Sequence, residues 1–240
     1  KAEETTEAES KKKAEKNLNY LTGLNDLPDQ AIGKRPVAVM VNNVREAMPQ
    51  YGIESADVIF EIPVEAGLTR MLAIFADYQS LPNICSVRSY RSYFPAIALG
   101  YDAFYIHWGE DMTAMDYYYS LNMDSYDGMS DGRLFGRDSN RLKNGYALEH
   151  TSVFYGAKFN DIVTSDGRRT DLNDDYKTPF FNFTDSDKPI TPAGDDCNIV
   201  NLEYGSMSST LVCSKDDPSL YYKYINGNIQ IDGNTGNQLA

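Results

Sequence analysis

The sequence is poor in the residues that usually announce a chemistry. It holds 3 Cys, 2 His and 1 Trp in 240 residues. Cys85, Cys197 and Cys213 are too few for a disulfide framework, although Cys197 and Cys213 fall on candidate neighbouring strands and their pairing is left open. His107 and His150 stand far apart, with no HxH or HxxxH spacing, so no metal site is expected. There is no P-loop, no GxGxxG after a strand, no GxSxG elbow and no CxxC, and no cofactor is expected either. No apolar run approaches the ~20 residues of a spanning helix. Cationic side chains are outnumbered, 22 Lys and Arg against 35 Asp and Glu, for a net charge of −13. That balance argues against non-specific nucleic-acid binding, which needs a cationic surface, and against docking of the domain's own surface on an anionic membrane. No signal-peptide pattern stands at the start, which leaves a cytosolic protein or a processed, exported one.

What is present is a globular composition, 42 % hydrophobic and 24 % charged. Residues 1–17 contain no apolar side chain larger than Ala and read as a disordered, charged tether, reaching ~60 Å if fully stretched. Residues 18–175 read as an α/β domain with a mixed sheet. Composition shifts near 175, where Pro179, Pro189 and Pro192 punctuate the chain, and residues 176–240 read as a smaller β-rich domain, incomplete at Ala240. The fold class is therefore α+β, α/β-like in its first part.

Val37–Val41 is a continuous apolar run entered through Pro36, which predicts a strand covered on both faces. Asp57–Asp77 alternates and predicts a hairpin, with Gly67-Leu68 as a type II′ turn. That register pairs Glu65 with Arg70 and Glu61 with Ile74. It puts Phe60, Ile62, Val64, Met71, Ala73 and Phe75 on one face. Ile59, Glu61, Glu65, Arg70, Leu72 and Ile74 take the other. Pro63 marks an edge strand or a bulge. A helix ending at Gly100 starts from Ser89 or Ser92, a strand covers Ala103–Trp108, and a second helix spans Ala114–Leu121. Residues 122–146 read as a long surface excursion, with a short helix after His150. Later strands are predicted at Asn198–Tyr204, Ser209–Ser214, Tyr221–Ile225 and Asn228–Asp232, the last two joined by Asn226-Gly227 as a type I′ turn.

Three groups of residues carry possible chemistry. Glu61 and Glu65 lie about 13 Å apart along one strand, too far for an acid/base dyad. Glu65 and Arg70 make a structural ion pair or one wall of a cleft. A half-buried Glu61 beside Ile74 would have a raised pKa and serve as a general acid. Arg88, Ser89 and Arg91, with helix-start amides, suit an anion, or else each Arg pairs with an acidic neighbour. His107 stands at the C-terminal end of a strand, where α/β sheets commonly place ligands. Cys85 reads as a core residue.

Leu21-Thr22-Gly23-Leu24, Arg35-Pro36 through Asn42-Asn43, Glu61 and Glu65 through Arg70 occur in order. Val87 through Arg91 with Tyr93-Phe94, Gly100-Tyr101-Asp102, and Tyr105 through Gly109 follow. The ordered series resembles the YerB-like lipoproteins of Gram-positive bacteria, a family of unknown function. The resemblance is good from about 21 to 155 and looser beyond. It implies an N-terminal α/β domain with a smaller C-terminal β domain. It also implies a lipid anchor upstream of Lys1, holding the protein on the outer face of the cytoplasmic membrane. The family's polar positions map onto Asn42, Glu61, Glu65, Arg70, Arg88, Arg91 and His107. His150 departs in context, since Glu149-His150-Thr151 stands where the family usually shows Pro-His-Asn.

The leading expectation is a membrane-tethered binding or accessory module. It would hold an anionic small molecule or a cell-envelope component through Asn42, Arg70, Arg88, Ser89 and Arg91. The rival is an envelope hydrolase or transferase using Glu61 or Glu65 with His107 as acid and base. A third reading is a structural scaffold whose charges neutralise one another.

Overall fold

The computed structural model describes residues 17–177, 181–184 and 193–240. The tether expected over 1–17 lies outside them except for Asn17, as do Pro179, Pro189 and Pro192. Asn17 belongs to the folded part, its amide donating to the Leu27 carbonyl at 2.7 Å and to Asp29 at 3.0 Å.

The central sheet has five strands: β1 (Val37–Asn42), β2 (Val58–Pro63), β3 (Thr69–Phe75), β5 (Phe104–His107) and β6 (Ser125–Asp127). Their order is β2-β3-β1-β5-β6. The pairs β2/β3 and β3/β1 are antiparallel, while β1/β5 and β5/β6 are parallel, so the sheet is mixed. Every residue of β1 is buried, as its unbroken apolar run demands. Alternate side chains feed two cores. Val37, Val39, Val41, Met71, Ala73 and Ile106 face β4 (Asn83–Cys85), β7 (Phe135–Arg137), β8 (Ser152–Tyr155) and a helix at Phe159–Ser165. Ala38, Met40, Leu72, Ile74 and Tyr105 face Tyr20, Leu21 and Leu27, together with α1 (Phe94–Gly100) and α2 (Met115–Ser120). Pro63 closes β2 at the sheet's edge, where a missing amide costs no ladder bond.

The hairpin departs from its predicted register. Ile62 pairs with Arg70, Glu61 with Met71 and Val58 with Ile74. The turn is a five-residue loop, not a two-residue one. Val64 donates to the Leu68 carbonyl, and Ala66 and Gly67 both take positive φ, 59° and 68°. The resulting slip of three residues is odd, so it exchanges faces between the two strands. Val58, Phe60 and Ile62 share a face with Leu72 and Ile74, and Glu61 lies opposite Met71. Glu65 falls in the loop and has no cross-strand partner, so its predicted pair with Arg70 does not form.

Other differences are local. Residues 122–146 are no surface excursion: they hold β6, β7 and α3 (Ser139–Lys143), and bury Tyr126, Leu134, Phe135 and Arg141. Arg141 explains why. Its guanidinium donates to the carbonyls of Ala47, Pro49 and His150 and stacks 4.4 Å from the Tyr51 ring, tying the loop after β1 to the loop before β8. A strand, β8, follows His150, and the helix comes later, as α4 (Phe159–Ser165). Helix α1 begins at Phe94 after Tyr93, with Pro95 in its first turn, so neither Ser89 nor Ser92 caps it. Likewise α2 starts after Ala114, without a side-chain cap from Asp111 or Thr113.

The last part forms a separate antiparallel sheet of β9 (Ile199–Glu203), β10 (Ser208–Cys213), β11 (Tyr221–Ile225) and β12 (Asn228–Ile229), ordered β12-β11-β10-β9. Asn226 and Gly227 turn with φ of 47° and 75°, as a type I′ turn requires. Cys85, Cys197 and Cys213 are all free thiols, so the open pairing of the last two resolves to none.

This sheet is fastened to the hairpin at Glu61 and at the Gly67 loop. The Lys223 ammonium meets Glu61 at 2.7 Å, with both side chains largely buried. The Gly67 loop meets the turn before β10, Ser206 donating from its amide to the Gly67 carbonyl at 3.1 Å. A Cβ on Gly67 would sit 2.5 Å from the Ser206 nitrogen and 2.8 Å from the Tyr204 oxygen. Gly67→Ala therefore meets rigid backbone and a positive φ together, and is expected to cost about 2 kcal/mol or more in urea unfolding. A loss below ~0.5 kcal/mol would mean the loop contact is dispensable. Lys223→Met leaves the Glu61 carboxylate without its cation and is expected to cost about 3 kcal/mol. Adding Glu61→Gln is expected to recover a large part of that loss; two additive losses in the double variant would refute the coupling.

Candidate functional site

A cleft of about 570 Å³ opens where the two sheets meet. Its walls come from the loop after β1, the Val64–Arg70 loop, Arg88, the Glu149-His150 turn, and the Ser206-Met207 turn with Asn226 of the C-terminal sheet. Asn42, Glu65, Arg70 and Arg88 from the sequence reading line it, joined by Arg45, Glu46, Glu149 and His150.

Arg70 is the inner cation. It is buried at the start of β3, and its Nη1 donates to the Ser89 carbonyl and, at 3.0 Å, to Ser89 Oγ. Among the described residues no carboxylate lies within 4 Å of its guanidinium. Burial pushes its pKa down to about 10, the nearby charges of Arg91 and Arg88 push the same way, and the Glu65 carboxylate opposes them in part. Arg88 lies against Glu149, with Nη1 3.8 Å from the carboxylate, and its buried Nε has no hydrogen-bond partner. Arg45, at the outer rim, forms no ion pair among the described residues.

Arg91 is spent elsewhere. It grips Glu65 with two donors, Nη2 reaching Oε2 at 2.8 Å, and donates to the Tyr90 carbonyl at 2.8 Å. The Arg91 contact draws the Glu65 carboxyl down to about 2. Ser89 holds Arg70 without lining the cleft itself. It precedes a loop and not a helix start, so the expected helix-start amides are not part of this site.

His150 is the cleft residue that sequence reasoning set aside. Asn42 Oδ1 accepts from the Val44 amide at 3.3 Å, which leaves its Nδ2 to donate to His150 Nδ1 at 3.1 Å. The ring proton then sits on Nε2, 3.6 Å from Glu149 Oε1. Burial lowers the pKa of His150, so the ring is neutral at pH 7 and offers one N–H donor. The signal in the sequence was faint, a lone histidine in an atypical context.

His107 lies elsewhere. Its Nδ1 donates to the Gly109 carbonyl at 3.0 Å, and its Nε2 accepts from the Tyr118 hydroxyl at 2.9 Å, beside the Tyr90 ring. Burial lowers its pKa too. Glu61 is engaged by Asn43, Thr69, Ser209 and Lys223 in the seam between the sheets. Two strands, β3 and β1, separate Glu61 from His107, about 14 Å at ~4.8 Å per strand. Glu61 shares its face with Met71, and His107 projects with Tyr105 to the other. They cannot exchange a proton directly, and neither lines the cleft. Among the described residues no three His, Cys, Asp or Glu side chains gather as metal ligands. Burial pushes the Cys85 thiol up to about 12, as befits an inert core residue.

The Glu65–Arg91 pair sets a pH dependence. The folded carboxyl titrates near 2, below its ordinary 4.5, so the pair's contribution is complete above pH 4.5 and fades as pH falls toward 2. Glu65 is mostly exposed, which limits the effect to less than about 1 kcal/mol. The Tm difference between the native protein and Arg91→Gln is expected to shrink across that window. A constant difference from pH 6 to 2 would refute it.

Residues 21–167 match the family described as "Protein of unknown function (DUF3048) N-terminal domain". The chain is 39 % identical over 118 residues to the protein named "Putative lipoprotein YerB" of Bacillus subtilis (strain 168), an alignment covering 49 % of this chain and 35 % of the relative. The crystal structure of YerB protein from Bacillus subtilis is similar with a TM-score of 0.76 and 27 % identity, over 92 % of this chain and 71 % of that one. The matched stretch of sequence thus spans about a third of the curated relative. The family match over residues 21–167 contains the central sheet, α1, α2 and most of the cleft's walls, and the chain belongs to the DUF3048 family, as its ordered motifs from Leu21 to Gly109 imply.

Proposed function

We propose that the protein is a membrane-anchored module on the outer face of the cytoplasmic membrane, binding the anionic group of a small molecule or cell-envelope component in the arginine cleft. The anchor and location are supported by the lipoprotein name of the Bacillus relative and by the charged stretch over residues 1–17. The binding reading is carried by one observation. Arg70 is a buried cation on the wall of an open cleft with no carboxylate of the described residues in contact. Burying an uncompensated guanidinium is costly, and a bound anion offsets that cost. Arg88 lines the same cleft, Asn42 and His150 bring neutral polar groups, and Arg45 adds charge at the rim. Three glutamates, Glu46, Glu65 and Glu149, line the same cleft, of which Glu65 is taken up by Arg91. The scaffold reading fits less well, because full mutual neutralisation holds for Arg91 but not for Arg70 or Arg45.

Titration calorimetry with inorganic phosphate at low salt tests the reading. The native protein is expected to bind, and Arg70→Gln and Arg88→Gln each to weaken binding at least tenfold, the order expected for loss of a charge-assisted hydrogen bond. Arg88 is partly exposed and its variant is expected to fold normally, so it keeps the test clean if Arg70→Gln is unstable. Equal affinity in all three proteins, or no binding by the native one, would overturn the proposal.

A further inference from the structure

The anion cleft has an apolar neighbour. A second cavity, of about 330 Å³, lies against it between the loop after β1 and the last hairpin. Met48 and Pro49 form one wall, and Ile225, Ile229 and Ile231 the other. Arg45 and Asn226 border both cavities, so the two adjoin at these side chains. One end offers Arg70, Arg88 and His150, and the other is mainly apolar.

Four of the nine residues bordering this second cavity, Arg45, Asn226, Asn228 and Gln230, carry polar side chains. Gln230 is buried, and its Nε2 donates to Gln50 Oε1 at 2.9 Å, which turns Oε1 away from that partner. Gln230 Oε1 is buried with no hydrogen bond at all. That atom has essentially no exposed surface, so Gln230 borders the groove without presenting this acceptor to it.

From the adjoining cationic and mainly apolar cavities we infer that the ligand is an anionic amphiphile, a phosphate-type head on a single alkyl chain. The inference rests on the anion-binding reading above and adds the class of molecule. The head sits with Arg70 and Arg88, the junction passes between Arg45 and Asn226, and the chain lies along Met48, Ile225 and Ile229. Charge complementarity selects the head, and continuity of the groove with the cleft selects a chain attached to it. Such a ligand gains from both compartments at once, since each buried methylene adds to affinity while the head fixes orientation.

Calorimetry with octyl phosphate, inorganic phosphate and octyl glucoside, all below their critical micelle concentrations, tests this. Octyl phosphate is expected to bind at least tenfold more tightly than phosphate, and octyl glucoside to bind far more weakly than octyl phosphate. Ile229→Ser and Met48→Ser, both on partly exposed positions, are expected to abolish the octyl advantage while leaving phosphate affinity unchanged. Arg88→Gln is expected to weaken both phosphates alike. If phosphate binds but octyl phosphate binds no better, the amphiphile inference falls and the anion reading stands. If octyl phosphate binds and phosphate does not, or if Arg88→Gln changes neither, both fall. A native protein that dimerises, becomes monomeric with Ile229→Ser and shows no octyl advantage would assign the groove to a second copy of the chain instead.

Discussion

The salt bridge between Glu61 and Lys223 is the constraint on which the rest of the molecule's chemistry depends. It joins an edge strand of the mixed sheet to a middle strand of the C-terminal sheet, and it is closed in by Asn43, Thr69 and Ser209. Burial lowers the lysine's pKa, so the ammonium is held there by the carboxylate and not by water. A buried pair of this kind gives little net stability, yet it specifies position, because any other docking would strand two charges. The close approach of Gly67 to Ser206 fixes the same seam from the side. Only because the seam is fixed do Ser206, Met207 and Asn226 stand opposite Arg70 and Arg88 to make a cleft.

The electrostatics of that cleft follow from which arginines find carboxylates. At the far end of β1, Arg35 is buried but satisfied by Asp102 and Asp124, and Arg169 pairs with Asp102. Those contacts hold the segment around 169–172 to the sheet, and they leave nothing for a ligand. Arg91 is likewise closed by Glu65. Arg70 differs because its direct partners are a carbonyl and a hydroxyl, with two further arginines nearby and the neighbouring Glu65 already bound to Arg91. The protein's 35 acidic residues are enough to neutralise every cation, so one left uncompensated beside open space is informative.

Much of the fold was legible. The run from Val37 to Val41 specified a fully covered strand, Pro63 an edge, and Asn226-Gly227 a type I′ hairpin, because each rests on local backbone chemistry or on a period of two. The hairpin register was not legible, since Gly67-Leu68 and a five-residue loop with Ala66 and Gly67 at positive φ satisfy the same local pattern. What selects the loop is the contact of Gly67 with a strand turn some 140 positions later, which no local pattern encodes. The excursion over 122–146 was misread for a related reason: Arg141 looks like a surface residue until three distant carbonyls are brought to it.

The site divides in the same way. Arg70, Arg88 and Asn42 stood out as polar residues at strand ends, and the ordered motifs carried the family. That Glu65 serves Arg91, that Glu61 belongs to the seam, and that His150 and not His107 faces the cleft were decided by tertiary structure alone. The physical reason is range. Strand periodicity, turn chemistry and net charge act over a few residues or over the whole composition, and both are written in the order of the letters. Which charge is neutralised depends on distances of a few ångströms between segments far apart in the chain, and those distances exist only once the two sheets have closed on one another.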